Sequence, residues 1–147
     1  MTLTDSTVAG NSDSNTPDTG VGDGPIFSSG DGINNGGGMI LANSIVAGNT
    51  APAPMPAYNY YPSADISGPY TNRGGNIVGI SSPDLASLCN FGGPTQTAPP
   101  LAGSPAICAG IISNIPSGVT TDQRGLPRTT NHNGTNCVDA GAVQTNY

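Results

Sequence analysis

The chain has 147 residues, 22 of them Gly and 14 Pro, and a formal net charge of −6. This length suits a single domain with one modest core, and 35% hydrophobic against 8% charged residues excludes the charge-rich composition that keeps chains disordered. Three cations, Arg73, Arg124 and Arg128, are too few for a nucleic-acid surface, and no run of about 18 apolar residues exists to span a bilayer as a helix.

All acidic residues are Asp, and Glu and Lys are absent. The strong helix formers are therefore missing. Short runs of Val, Ile, Leu and Thr punctuated by Gly, Asn, Asp and Ser predict an all-β fold of short strands and tight turns.

The first element is one half of an internal repeat. Met1-Thr-Leu-Thr-Asp-Ser-Thr-Val-Ala-Gly-Asn11 aligns without gaps on Met39-Ile-Leu-Ala-Asn-Ser-Ile-Val-Ala-Gly-Asn49, an offset of 38 residues, and most positions are identical. A repeat of this period points to a solenoid. Leu3, Val8, Ile40, Leu41 and Val46 are expected to point inward, and Asn11 and Asn49 to occupy left-handed turn positions, which Asn tolerates. Stacked Asn side chains would bridge neighbouring turns. Because the chain starts inside a coil, its first layer is expected to be uncapped.

Between and after the two copies, about 12–38 and 50–64 read as loop insertions leaving one corner. The second carries Tyr58, Tyr60 and Tyr61, which with Tyr70 offer a ligand or partner surface, since tyrosines present a flat stacking face with a polar tip. Gly74-Gly-Asn-Ile-Val-Gly79 is a weaker third copy, with Ile77 inward. Residues 1–83 are thus expected to form the coils. Residues 84–147, with Ile107 inward, are expected to form the last coil and a C-terminal cap, because a solenoid must cover its final apolar layer. The whole is read as one domain, a fragment of a longer protein whose export signal would lie upstream.

Four motifs occur in order in the C-terminal half: Leu88-Cys-Asn-Phe-Gly-Gly-Pro-Thr-Gln-Thr97, Leu101-Ala-Gly-Ser-Pro-Ala-Ile107, Thr121-Asp-Gln-Arg-Gly-Leu-Pro-Arg128 and Cys137-Val-Asp-Ala-Gly-Ala142. Together they resemble the signature of the choice-of-anchor Q domain. The resemblance covers roughly residues 39 to 147. It implies a secreted bacterial right-handed parallel β-helix of the pectate-lyase-like superfamily, with three short parallel sheets. Fold alone does not confer lyase chemistry.

Two departures stand out: Cys108 follows Ser-Pro-Ala-Ile where the family has Asp, and Val143-Gln144 follows the final Gly-Ala where it has an aromatic residue and Glu. The first suggests a Cys108–Cys137 disulfide, leaving Cys89 spare and buried, with Cys89–Cys108 as the rival pairing. Arg124 is expected to tie the cap to the last coil through an ion pair with Asp122 or Asp139.

Other chemistry is thinly supplied. A lyase on this scaffold needs Ca²⁺ held by several carboxylates and a cationic base, whereas Arg73 is alone in the coil region, and Asp18, Asp23 and Asp31 match no calcium-loop spacing. His132, the one His, lies in a polar turn. No Cys pair is at metal-ligand spacing, so no metal or cofactor is expected. Asn133-Gly-Thr135 fits a glycosylation sequon. Thr2 and Thr4 begin a threonine row that Ile40 and Ala42 break, which argues against an ice-binding face.

The reading is a non-enzymatic extracellular or cell-surface structural or adhesive module that self-associates into fibres through open coil ends. It has no nucleic-acid partner and no membrane span. A carbohydrate-binding or polysaccharide-lyase-like β-helix with a glycan or cell-surface partner is the alternative.

Overall fold

The computed structural model describes residues 1–12, 32–50 and 65–146. Among them the fold is all-β: β1 (Thr2–Thr4), β2 (Thr7–Ala9), β3 (Ile33–Asn34), β4 (Met39–Ala42), β5 (Ile45–Ala47), β6 (Ile66–Ser67), β7 (Tyr70–Asn72), β8 (Ile77–Val78), β9 (Thr130–His132) and β10 (Thr135–Cys137). The only helical element among these residues is a single 3₁₀ turn at Ile112–Asn114.

Three small sheets are parallel, in the orders β1-β4-β7, β2-β5-β8 and β3-β6. The first two share one order, so β1–β2, β4–β5 and β7–β8 form three successive tiers. Thr2 pairs with Ile40 and Thr7 with Ile45, so the register between the first two tiers equals the repeat offset. The third copy aligns as expected, Ile45 on Ile77 and Val46 on Val78. Residues 32–38, expected to be part of a loop, instead include β3, which completes the second tier.

Tier corners are set by residues that tolerate positive φ. Asp5 and Asn43, at one repeat position, have φ of 48° and 46°, and Gly10, Gly48 and Gly79 have 71°, 69° and 75°. The glycines, lacking Cβ, take the left-handed turn that had been assigned to Asn11 and Asn49. Freed from that role, the two asparagines form a ladder. Asn11 Nδ2 donates to Asn49 Oδ1 at 2.8 Å, and Asn49 Nδ2 donates to Asp65 Oδ1 at 2.8 Å. A second ladder runs through the other corner, Ser6 N to Ser44 Oγ at 3.2 Å and Ser44 N to Asn76 Oδ1 at 2.8 Å.

The middle tier is the most enclosed, because it has neighbours on both sides: Leu41 and Ala42 and every residue of β5 are buried. Removing Leu41, Ile45 and Val46 from water is worth about 1.5–3 kcal/mol each. Side chains alternate across a strand. Met39 and Leu41 are buried, while Ile40 between them is only half-buried, so the inward position is Leu41 rather than Ile40. Leu3 and Val8 in the first tier are half-buried.

Ile45 and Ala47 pack against Ala106 and Ala140, with Ile77, Ile80, Leu85 and Ala109 around them. Ile77 therefore faces the C-terminal segment, on the opposite side of its sheet from Val46. In that segment Ala106 is the buried residue and Ile107 is half-buried. The segment also departs from the expected end cap. It reaches Thr7 in the first tier, Asn43 in the second and Arg73 in the third. It thus lies along the flank of the tiers. The buried alanines and Gly110 permit this close approach: a Cβ at Gly110 would fall 2.8 Å from Val138 Cγ1 and 2.9 Å from Val138 O. Among the described residues, β1 and β2 on one side and β7 and β8 on the other have no further strand partner.

Candidate functional site

The C-terminal segment is held by the left-handed corner residues. Asn43, fully buried, donates through Nδ2 to Ile111 O at 3.0 Å and accepts from Ile111 N through Oδ1 at 2.8 Å. Gly141 N donates to Asn43 O at 2.8 Å, and Ala142 N to Thr7 Oγ1 at 3.0 Å. Asp5, the repeat mate of Asn43, receives a charged donor instead, Arg128 Nη2 at 2.9 Å. That nitrogen also donates to Asp139 O and Gly141 O. Arg128 is 2% exposed. Sequence reasoning missed this pair because nothing local links two residues 123 positions apart.

Arg124 binds Asp122 through Nε at 3.0 Å and Nη2 at 2.8 Å, both to Oδ2. Asp122 also accepts the backbone N–H groups of Gln144, Arg124 and Leu126. Burial pushes its carboxyl upward, but these donors together outweigh it, and its pKa lies below the usual carboxylate value.

Asp139 is not the partner of Arg124. Its Oδ1 accepts Cys108 N at 2.8 Å, and its Oδ2 accepts Thr145 N at 2.7 Å and Thr145 Oγ1 at 2.6 Å. The Arg124 guanidinium is instead committed to Asp122. Gln144 is a hub: Oε1 accepts Asp139 N and Nε2 donates to Thr130 Oγ1.

Cys108 and Cys137 form a disulfide, with Cα atoms 5.1 Å apart. Cys89 is free and exposed, not buried, although Thr97, its partner in a strand-like bridge, is buried. His132 ends β9 rather than lying in a turn. Asn133 and Gly134, both at positive φ, make the two-residue hairpin turn to β10.

Tyr70 is 38% exposed on β7, the outermost tier. Tyr58, Tyr60 and Tyr61 lie outside the described residues, as do Asp18, Asp23 and Asp31. Arg73 is exposed and Asp65 is engaged by Asn49. Sequence reading also missed a groove of about 830 Å³ between the tiers and the C-terminal segment. Its lining includes Asn11, Ser82, Gln96 and Gln123, with Leu88 and Leu101 exposed along it. None of the three arginines lines it.

No helix among the described residues is long and apolar enough to cross a membrane. Comparison with protein-family models, curated proteins and solved structures found no match.

Proposed function

We propose that the chain is the C-terminal part of a secreted right-handed parallel β-helix, similar to the choice-of-anchor Q domains, and that it serves as a non-enzymatic structural or adhesive module. The observation that carries this reading is the constant tier order of two parallel sheets, with a 38-residue register that equals the sequence repeat. Parallel crossovers within one sheet are almost always right-handed, which supports that hand for the coils. The disulfide supports an oxidising, extracellular setting.

Self-association follows from the edges. Among the described residues β1 and β2 lack a strand partner on one side and β7 and β8 on the other, and unpaired strand edges are templates for pairing with another chain. The C-terminal segment lies on the flank and adds no strand to either side among these residues. Copies of this chain taken by itself would then stack through parallel pairing of first and third tiers, an open head-to-tail contact that propagates into filaments.

Light scattering and negative-stain microscopy across a concentration series test this. Filaments or ordered stacks that are lost in Thr2→Lys and Thr71→Lys, each adding a charge to an outer strand, are the expected result. A particle that stays monomeric at the highest concentration would overturn self-assembly.

The groove favours the alternative, glycan binding, as a second reading. Its amides and hydroxyls beside exposed leucines suit a ligand with polar edges and apolar faces. Titration with soluble neutral oligosaccharides, read by chemical-shift changes at Gln96 and Gln123, separates this reading from a purely structural one.

A further inference from the structure

The fold brings together three metal-binding side chains that the sequence keeps apart. Cys108 lies 29 residues before Cys137, and Asp139 follows two positions later on the same segment. One ligand atom from each lies within 4.8 Å of the other two. Tetrahedral zinc, with bonds of about 2.0–2.3 Å, needs its donors about 3.4–3.8 Å apart, so small side-chain adjustments suffice once the two sulfurs are unlinked. We propose that Cys108, Cys137 and Asp139 form a zinc-class metal site that is exclusive with the disulfide, so that one place in the fold carries either of two cross-links according to redox state.

The carboxylate is already oriented. Cys108 N fixes Oδ1, and Thr145 holds Oδ2 through its N–H and hydroxyl. A carboxylate oxygen offers two lone pairs, and the hydrogen bond to Oδ1 leaves one for a metal. Outer hydrogen bonds of this kind set ligand direction and basicity. Access to the two sulfurs is provided by a cavity of about 730 Å³ lined by Cys108, Cys137, Gly110 and His132, with the Asp139 carboxylate buried behind them. Water entering there completes a four-coordinate Cys₂Asp set.

The chemistry balances simply. A dithiol, itself closing to a disulfide, or a phosphine, taking oxygen from water to become its oxide, supplies two electrons and two protons as the sulfur–sulfur bond becomes two thiols. The metal then displaces both thiol protons to solvent. The absence of metal-ligand spacing in the sequence concealed the site, because its ligands come from separate segments of the C-terminal half.

The test uses the full chain carrying Cys89→Ser, which removes the exposed thiol. After reduction with a phosphine, Co²⁺ alone is added and the thiolate-to-cobalt absorption in the near ultraviolet is followed. One equivalent bound, no band in the oxidised protein, loss of the band in Cys108→Ser and affinity weakened about tenfold or more in Asp139→Asn are the expected results. A reduced protein that gives no band, or a Cys108→Ser variant that gives the same band, overturns the proposal. Should reduction unfold the chain, recovery of native amide dispersion on adding one equivalent of Zn²⁺ supports the site, and failure to recover refutes it.

Discussion

Arg128 Nη2 donates to Asp5 Oδ1 at 2.9 Å and thereby joins the first tier to the C-terminal segment through a pair almost wholly removed from water. Three of the pair's polar atoms, Asp5 Oδ2 and Arg128 Nε and Nη1, are buried and have no partner among the described residues. Breaking one side of such a pair leaves an uncompensated buried charge. Arg128→Met and Asp5→Asn are each expected to cost about 3–5 kcal/mol. Combining Arg128→Met with Asp5→Asn is expected to cost clearly less than their sum, because neither charge is then stranded. Asn keeps the left-handed corner that Asn43 already shows. Urea denaturation of the four proteins measures the coupling, and strict additivity would count against the pair.

Asp122 sets the acid limit of stability. Its folded pKa is lowered, so it contributes stability that is fully present above its unfolded value of 3.8 and is lost as pH falls through the folded value. Melting temperature is expected to be flat near neutrality and to fall steeply below about pH 4. Asp122→Asn should be less stable at neutral pH and show a shallower acid slope. Parallel pH titrations of thermal unfolding check both.

The side-chain ladder through Asn49 makes a sharper claim than burial does. Asn49→Ala leaves Asn11 without its side-chain acceptor and Asp65 with the Asn49 backbone N–H but without its Nδ2 donor, a cost of about 1–3 kcal/mol. Asn49→Asp, nearly isosteric, is expected to be worse, because a carboxylate placed against Asp65 supplies no donor and adds like charge. Chemical denaturation ranks the two, and the opposite order would show that the ladder contributes little.

The disulfide closes a loop across the C-terminal segment. Replacing both Cys108 and Cys137 by Ser is expected to lower stability by about 3–4 kcal/mol, on a chain-entropy estimate for a loop of this length. Cys89→Ser, exposed and outside the core, is expected to change it by less than about 0.5 kcal/mol. Midpoints in denaturant, with and without reductant, compare them.

The repeat made the tiers legible. Identical residues at a fixed offset lie in matching pairs, and Asn11 and Asn49 bridge neighbouring tiers as the stacking argument expected. The C-terminal motifs suggested the Cys108–Cys137 disulfide with Cys89–Cys108 as its rival, and the position of Arg124 narrowed its partner to Asp122 or Asp139, of which the structure has Asp122. Positions that depend on how the C-terminal segment docks were not legible. Whether Ile77 faces inward or outward turns on what covers its sheet, and period-two patterning cannot say which face that is. Arg128 acts through a partner 123 residues away, so its spacing carries no signal.

All the interruptions of the tiers meet at one corner. Ser12 bridges to Thr50 in parallel, Asn49 N lies 3.1 Å from Asp65 Oδ1, and Gly32 sits so close that a Cβ there would fall 2.7 Å from Asn49 Nδ2. Residues 12 and 50, and residues 32, 49 and 65, are thus held beside each other. Doubling such a connection costs only about 0.6 kcal/mol in closure entropy, and the register of the flanking strands does not depend on it. The corner is therefore a socket for grafting: segments of different length and chemistry can be exchanged there while the stack beneath keeps its alignment.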